Sequence, residues 1–439
     1  MKRTHGDATK RTFGVCMLIA TLLLGPAVAK ADAVLDWNLI AVNTSIANGQ
    51  NPFAQARNAA IVQLAVFEAV NAITGKYRPY LGSIVAPHGA SADAAAVEAA
   101  YQVLNTYFPT SASTLLTARA NSLALIPDGQ AKSDGIATGD AAALAMIALR
   151  ANDGSSPAQV KVPGAAVPGE YQATPSCPMV NGIKVGTLFQ WQNVTPFGIP
   201  SASEFLLDPP PALDSNQYAK TYNEVKEVGS ASANSIERPE DRANVVLYYA
   251  ASTPTQVFNQ AAREVAQERW HSLSENARDF ALINMALSDG AVTTFFNKYR
   301  YNFWRPETAI HAGDTDGNRK TDADPNWVPF IPAPCFPSYP SAHGTLSGAG
   351  AEVMRRLYGE AGHAITLSNP AVPTIVLHYG SFGQITDDIS DARVYGGIHF
   401  RTDQDAGSRL GRAVGTAIYK NNLRAKHGND RHDDDWDDK

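Results

Sequence analysis

Residues 52–74, PFAQARNAAIVQLAVFEAVNAIT, repeat apolar side chains at the three-and-four spacing of a helix, and Ala, the strongest helix former, is their commonest residue. The same pattern recurs at 91–108, 111–126 and 134–151, so the N-terminal half reads as packed helices. It collapses from 152 to 213 into Pro, Gly, Ser and Val, with VPG twice and DPPPAL, which predicts a long irregular connection. Helical periodicity returns at 215–229, 239–251, 255–271 and 274–303, the last stopped by Pro306 just beyond it. A polar loop over 312–340, a helix over 341–358, a shorter helix near 371–380, a loop into Arg393 and a closing helix over 403–424 complete the pass. Alternation of period two is almost absent, so the expected class is all-α, a double four-helix-bundle-like core with long irregular loops. The expected divisions are a helical half at 32–151, a connection at 152–213 and a second helical half at 214–425.

The ends read differently. Lys2, Arg3, Lys10 and Arg11 precede an apolar run from Phe13 to Ala29 and the small-residue stretch AVAKADA, the order of a secretory signal, with cleavage expected after Ala29 or Ala31. A membrane anchor is the competing reading, but the apolar core is short and interrupted by Gly25 and Pro26. No later stretch reaches the roughly 18 apolar residues that span a bilayer, so the expectation is a soluble, secreted or periplasmic protein. The tail HGNDRHDDDWDDK is strongly acidic with little to bury and reads as a solvated, disordered end. Five Lys/Arg stand against one Asp in 1–31, so removing that segment takes the formal charge from −6 to −10 and argues against a nucleic-acid partner. Cys16 would leave with the signal. Cys177 and Cys335 would remain, to pair in an oxidising compartment or to stay as two buried thiols.

Three short segments hold the chemistry. In KYRYNFWRP, Lys298 and Arg305 are seven apart, two helical turns, which predicts both heads on one face around a phosphate-like anion. In FPSYPSAHGTLSGAG, Ser341 opens a small-residue helix whose free N–H groups and positive dipole end suit an oxyanion, and His343 can exchange protons near neutrality. The plainer reading makes Ser341 an N-cap and His343 a loop histidine. In DARVYGGIHFRTDQDAG, Arg393 is followed by His399, and Asp403 one helical turn later can hold the imidazole in one tautomer, while Gly396 and Gly397 let the backbone turn nearby.

Together and in this order, the three segments resemble the KxxxxxxRP, PSGH and SRxxxxxHxxxD signature of the phosphatidic-acid-phosphatase type 2 and vanadium haloperoxidase superfamily. Ala342 stands where the family has Gly, and Ala392 where it has Ser. The resemblance covers most of 190–425 and, more weakly, 34–80. It implies that Lys298, Arg305 and Arg393 neutralise a bound oxyanion, that Ser341 and the Ala342 amide hydrogen-bond to it, and that His343 is the acid–base residue. His399 becomes the vanadium ligand of a peroxidase or the nucleophile of a phosphatase, with Asp403 orienting it.

The signature does not separate those two chemistries, because vanadate and phosphate share shape and charge. The flanking sequences NFWRPETAI, DTDGN and YGGIHFRTD look like secreted bacterial haloperoxidase-related proteins, so the expected function is a vanadium-dependent haloperoxidase. Its cofactor would be vanadate, and its substrates hydrogen peroxide, a halide and a small organic acceptor, with Lys298, His343 and His399 catalytic. A soluble secreted acid phosphatase is the alternative, and a binder without turnover a third reading, against which His343 argues. Phe295, Trp304 and Phe336 flank the motifs and read either as a halide pocket or as core. Asp314, Asp316 and Asn318 of the DTDGN loop faintly resemble a calcium loop, but the ligand series is incomplete and an Asx turn is the competing reading.

Overall fold

The fold is described from a computed structural model covering residues 32–426. The expected signal segment and acidic tail lie outside these residues. The N-terminal half holds α1 (Ala33–Ala47), α2 (Pro52–Thr74), α3 (Ala92–Tyr107), α4 (Ala112–Ala124) and α5 (Gln130–Arg150). α2 starts where the Asn51 side chain accepts from the Phe53 and Ala54 N–H groups, with Pro52 in its first turn, and ends at Gly75, whose φ of 66° suits glycine. α1 was not anticipated.

Between 152 and 213 the described chain forms no α-helix, only short 3-10 turns and a hairpin of β1 (Met179–Val180) and β2 (Ile183–Lys184). Then come α6 (Asn216–Val228), α7 (Glu240–Ala251), α8 (Pro254–Arg269) and α9 (Leu273–Tyr301), the last opened by a Ser272/Glu275 capping box. α9 stops at Asn302, which adopts φ 46° and donates its N–H to the Lys298 carbonyl. Arg305 is therefore not on the same helix face as Lys298, as the spacing had predicted. It caps a separate short helix, α10 (Pro306–His311), and reaches the same place from there.

The third stretch comprises α11 (Ala342–Tyr358), β3 (Ala361–Ser368), β4 (Val376–Ser381), α12 (Phe382–Tyr395) and α13 (Arg401–Asn421). The expected helix near 371–380 is an antiparallel strand instead, paired with β3. In β3, His363, Ile365 and Leu367 are buried while their neighbours are exposed, a period-two pattern only eight residues long. The expected loop into Arg393 is helix, because Phe382, Ile385, Ile389, Ala392 and Arg393 form a buried stripe and Ser381 accepts from the Gln384 N–H. Even so, the class is all-α: thirteen α-helices and two small two-stranded sheets among the described residues. No described helix is long and apolar enough to cross a membrane.

The packing that positions the site is glycine-mediated. A Cβ added at Gly411 would lie 2.2 Å from the Thr345 carbonyl, and one at Gly407 2.6 Å from that of Ser341. Bare Cα atoms on α13 let it lie directly against the first turns of α11. There the Ser341 N–H donates to the Asp403 carbonyl at 2.9 Å, which fixes one motif segment to another.

Candidate active site

All three motif segments converge. Lys298 comes from the last turn of α9, Arg305 from the cap of α10, and Ser341 and His343 from the start of α11. Arg393 comes from the last turn of α12, and His399 lies just before α13. Lys298, Arg305, Ser341 and Asp403 are fully buried, His399 and Arg393 nearly so, while His343 keeps partial access to solvent.

The cations are held by backbone. Lys298 Nζ donates to the carbonyls of Pro337 at 2.6 Å and Ser338 at 2.8 Å. Arg305 donates from Nε to the Phe336 carbonyl at 2.9 Å and from Nη1 to that of Ile398 at 2.8 Å. The Phe336 ring lies 5.1 Å from both cationic heads. Arg393 donates from Nη1 to the Tyr249 carbonyl at 3.4 Å. Arg305 Nη2 and Arg393 Nε are buried without a partner.

Asp403 organises the histidine. Its Oδ2 accepts from Ser338 Oγ at 2.5 Å, from the Phe400 N–H at 3.2 Å, and stands 2.9 Å from His399 Nδ1. A carboxylate at Nδ1 calls for the Nδ1–H tautomer, which leaves Nε2 its lone pair. That lone pair faces Arg305 Nη1 at 3.0 Å. Ser341 Oγ accepts from the Gly344 N–H, so it is an N-cap, but its own hydrogen stays free to donate. The Ser252 backbone favours the protonated His343 ring, against the larger effect of burial.

Burial governs the protonation states. Burial first, then Arg305, holds the Lys298 ammonium well below its ordinary value against the pull of Asp403. Burial pushes Arg305 down to about 10 and Arg393 down to about 9, so both stay cationic at neutral pH. It raises Asp403 to about 6 despite Ser338, Lys298 and Arg305. Both histidines are driven well below 6.5 by burial, and then by Arg393 and Lys298 for His343 and by Arg305 and Lys298 for His399. Two arginine cations and the Lys298 amine share the site with one carboxylate, and so uneven a buried balance favours an anion. The unpartnered donors, the Ser341 hydroxyl and the start of α11 fit an oxyanion of phosphate or vanadate type.

The flanking aromatics divide. Phe295 and Phe336 meet at 5.3 Å, whereas Trp304 stacks on Tyr218 in a second core cluster. The aromatic group is completed by Phe53, 4.7 Å from Phe295 and 5.9 Å from Phe336, which α2 supplies and the motifs do not reveal. Ser338 was also missed: it stands inside the quoted FPSYPSAHG, but nothing in its spacing marks it as a partner of Asp403 and His399. The DTDGN loop gives calcium no support. Asp316 accepts from Thr321 Oγ1 and the Asn318 N–H, and the Asn318 amide donates to the Leu213 and Ser215 carbonyls. No metal-holding cluster of three or more His, Cys, Asp or Glu occurs among the described residues. Ala342 and Ala392 are both buried, and nothing in the structure explains why they replace Gly and Ser.

Fold and site together define a helical-bundle protein with a buried cationic pocket at the meeting of five helix ends. Residues 278–428 match the family model described as the VCPO second helical-bundle domain. The vanadium chloroperoxidase of Curvularia inaequalis is 26% identical over 273 residues, 47% of this chain and 44% of that enzyme, so the match spans less than half of the curated relative. The crystal structure of a bacterial vanadium-dependent iodoperoxidase superposes with a TM-score of 0.75 at 24% identity, over 90% of this chain and 97% of that one. An apo-type bacterial vanadium-dependent chloroperoxidase gives 0.67 at 17% identity, over 84% and 94%. At those identities the two structures speak to the fold alone. These matches are consistent with the superfamily that unites vanadium haloperoxidases with type 2 phosphatidic-acid phosphatases, the family-model match covering residues 278–428.

Proposed function

We propose that the chain is a vanadium-dependent haloperoxidase that uses hydrogen peroxide to oxidise a halide, for transfer to a small organic acceptor. The observation that carries this is the pocket of Lys298, Arg305 and Arg393, with unpartnered donors on both arginines and an Asp403-oriented His399 among them. Lys298, Arg305 and Arg393 would neutralise the charge of vanadate, with Ser341 Oγ and the Ala342 N–H hydrogen-bonded to it and His399 Nε2 as the ligand to vanadium. Bound there, vanadate supplies a Lewis-acid centre for peroxide activation. His343, partly accessible and held neutral chiefly by burial, would take and return a proton at its ring nitrogen. Phe295 and Phe336 give the halide side of the pocket a dry wall. Export fits the same reading, because the Cys177–Cys335 bridge suits an oxidising compartment.

The test uses one metal-stripped preparation in two assays, each across an orthovanadate titration: peroxide, bromide and a phenol, and p-nitrophenyl phosphate. Halogenation that rises with vanadate is the expected result. Ester hydrolysis suppressed by vanadate, with no halogenation at any dose, would reassign the protein as an acid phosphatase.

A further inference from the structure

Both carbonyls that hold Lys298, and one of the two that hold Arg305, belong to three consecutive residues, Phe336, Pro337 and Ser338, so pocket geometry depends on where that short loop sits. The loop contains no regular secondary structure of its own. What holds it from behind is the strap of residues 169–187. Cys177 is bridged to Cys335, one residue before Phe336, with Cα atoms 5.3 Å apart. Ser176 Oγ donates to the Ala333 carbonyl at 3.0 Å, and the Thr187 N–H to the Cys335 carbonyl at 2.6 Å. Tyr299, next to Lys298, donates its hydroxyl to the Thr187 carbonyl at 2.5 Å. The strap also grips the other cation-bearing segment: the Tyr171 N–H donates to the Asn302 carbonyl at 2.7 Å and the Trp304 N–H to that of Gly169 at 3.0 Å. The two gripped segments are joined where the Ser338 N–H meets the Phe303 carbonyl at 2.8 Å.

We propose that the strap 169–187, closed by the Cys177–Cys335 bridge, sets the pocket's affinity for oxyanions by fixing the 336–338 carbonyls. Cys177, Cys335 and Tyr299 are thus positioning residues for Lys298 and Arg305. The inference rests on the oxyanion reading above and adds that the site is strong only while the bridge is intact. With the bridge open, the carbonyl cradle loosens and both heads turn to other partners, Asp403 being the nearest opposite charge. Cys335 is partly exposed, so a dithiol can reach the bridge. The dithiol delivers two electrons and two protons to the S–S bond, which becomes two thiols, and itself closes to a cyclic disulfide.

Orthophosphate is the probe, because a dithiol does not reduce it. Calorimetric titration would compare the oxidised protein, the reduced protein and the Cys177→Ala/Cys335→Ala variant, each with its helical circular-dichroism signal. Binding weaker by about tenfold to a hundredfold, the range seen when outer supports of a site are removed, with unchanged helical signal, is the expected result. Equal affinity overturns the proposal, and so does an affinity loss that tracks loss of helix, since the bridge would then be a general brace. If the bridge-less forms do not fold, Tyr299→Phe, with the bridge kept, decides: weaker binding supports the proposal and unchanged binding overturns it. An oxidised wild-type protein that binds no phosphate contradicts the oxyanion reading itself, a result distinct from these.

Discussion

The molecule buries two clusters of arginine, and they are built to different ends. In the N-terminal half, Arg57 and Arg150 share Asp153, whose Oδ2 lies 2.7 Å from Arg57 Nε and 3.1 Å from Arg150 Nε. Their remaining nitrogens go to Asn58 and to the carbonyls of Arg150, Thr195 and Pro196, so both guanidinium groups are fully used. In the C-terminal half, Arg305 Nη2 and Arg393 Nε have no partner, and the one nearby carboxylate is committed to Ser338 and His399. A buried cation whose donors are all satisfied holds a structure together. One with donors left over is provisioned for something that is not part of the chain.

Two substitutions would break that comparison if it is wrong. Asp153→Ala strands two buried cations and should cost about 3–5 kcal/mol of stability in denaturant unfolding, while phosphate affinity of the folded protein stays unchanged. Arg393→Met should do the reverse. Phosphate binding should weaken by about 1.5–3 kcal/mol, the worth of a charge-assisted bond, while the anion-free protein is as stable as wild type or more so, since an uncompensated charge is gone. A destabilised Arg393→Met protein with unaltered phosphate affinity would erase the distinction.

A smaller effect sharpens it through pH. Lys298 and His343 are held below their ordinary values when no anion is bound, and a bound anion raises both, so the complex holds more protons than the free protein. Affinity for sulfate, which does not itself titrate near neutrality, should therefore increase as pH falls. The limit is about tenfold per pH unit for each proton taken up. Asp153 behaves oppositely. Burial alone would raise it, but the hydrogen bond and charge of Arg57 outweigh burial and hold it below 3.8. The stability it contributes is present above pH 3.8 and lost as pH falls through its lower folded value, with no trace in anion binding. Sulfate affinity that is flat between pH 9 and 6 would remove the protonation argument.

How much could be read without coordinates follows the same division. Long Ala-rich helices such as α2 and α9 announce themselves because burial on most faces demands many turns of one periodicity. The 361–395 region did not. β3 shows only three inward residues, and β4 ends in Gly380 and Ser381, which read equally well as loop. α12 is rich in Asp, Thr and Ser on its outer face, which hid the Ile385 and Ile389 stripe. In the site, every charged member was visible because motif spacing preserves it. The supports were not: the Phe336, Pro337 and Ser338 carbonyls are backbone atoms that any residue possesses, and Phe53 arrives from some 240 positions away in sequence. The seven-residue spacing of Lys298 and Arg305 misled for a related reason. It fits two helical turns, yet Asn302 ends the helix between them and the convergence is tertiary.

The most direct test of the account is a crystal structure of the protein grown with orthovanadate. Density for one vanadium bonded to Nε2 of His399, with its oxygens against Arg305 Nη2, Arg393 Nε and Ser341 Oγ, is the predicted result. A pocket without vanadate at a concentration that saturates binding, or vanadate held elsewhere while both arginine donors stay unpartnered, would contradict it.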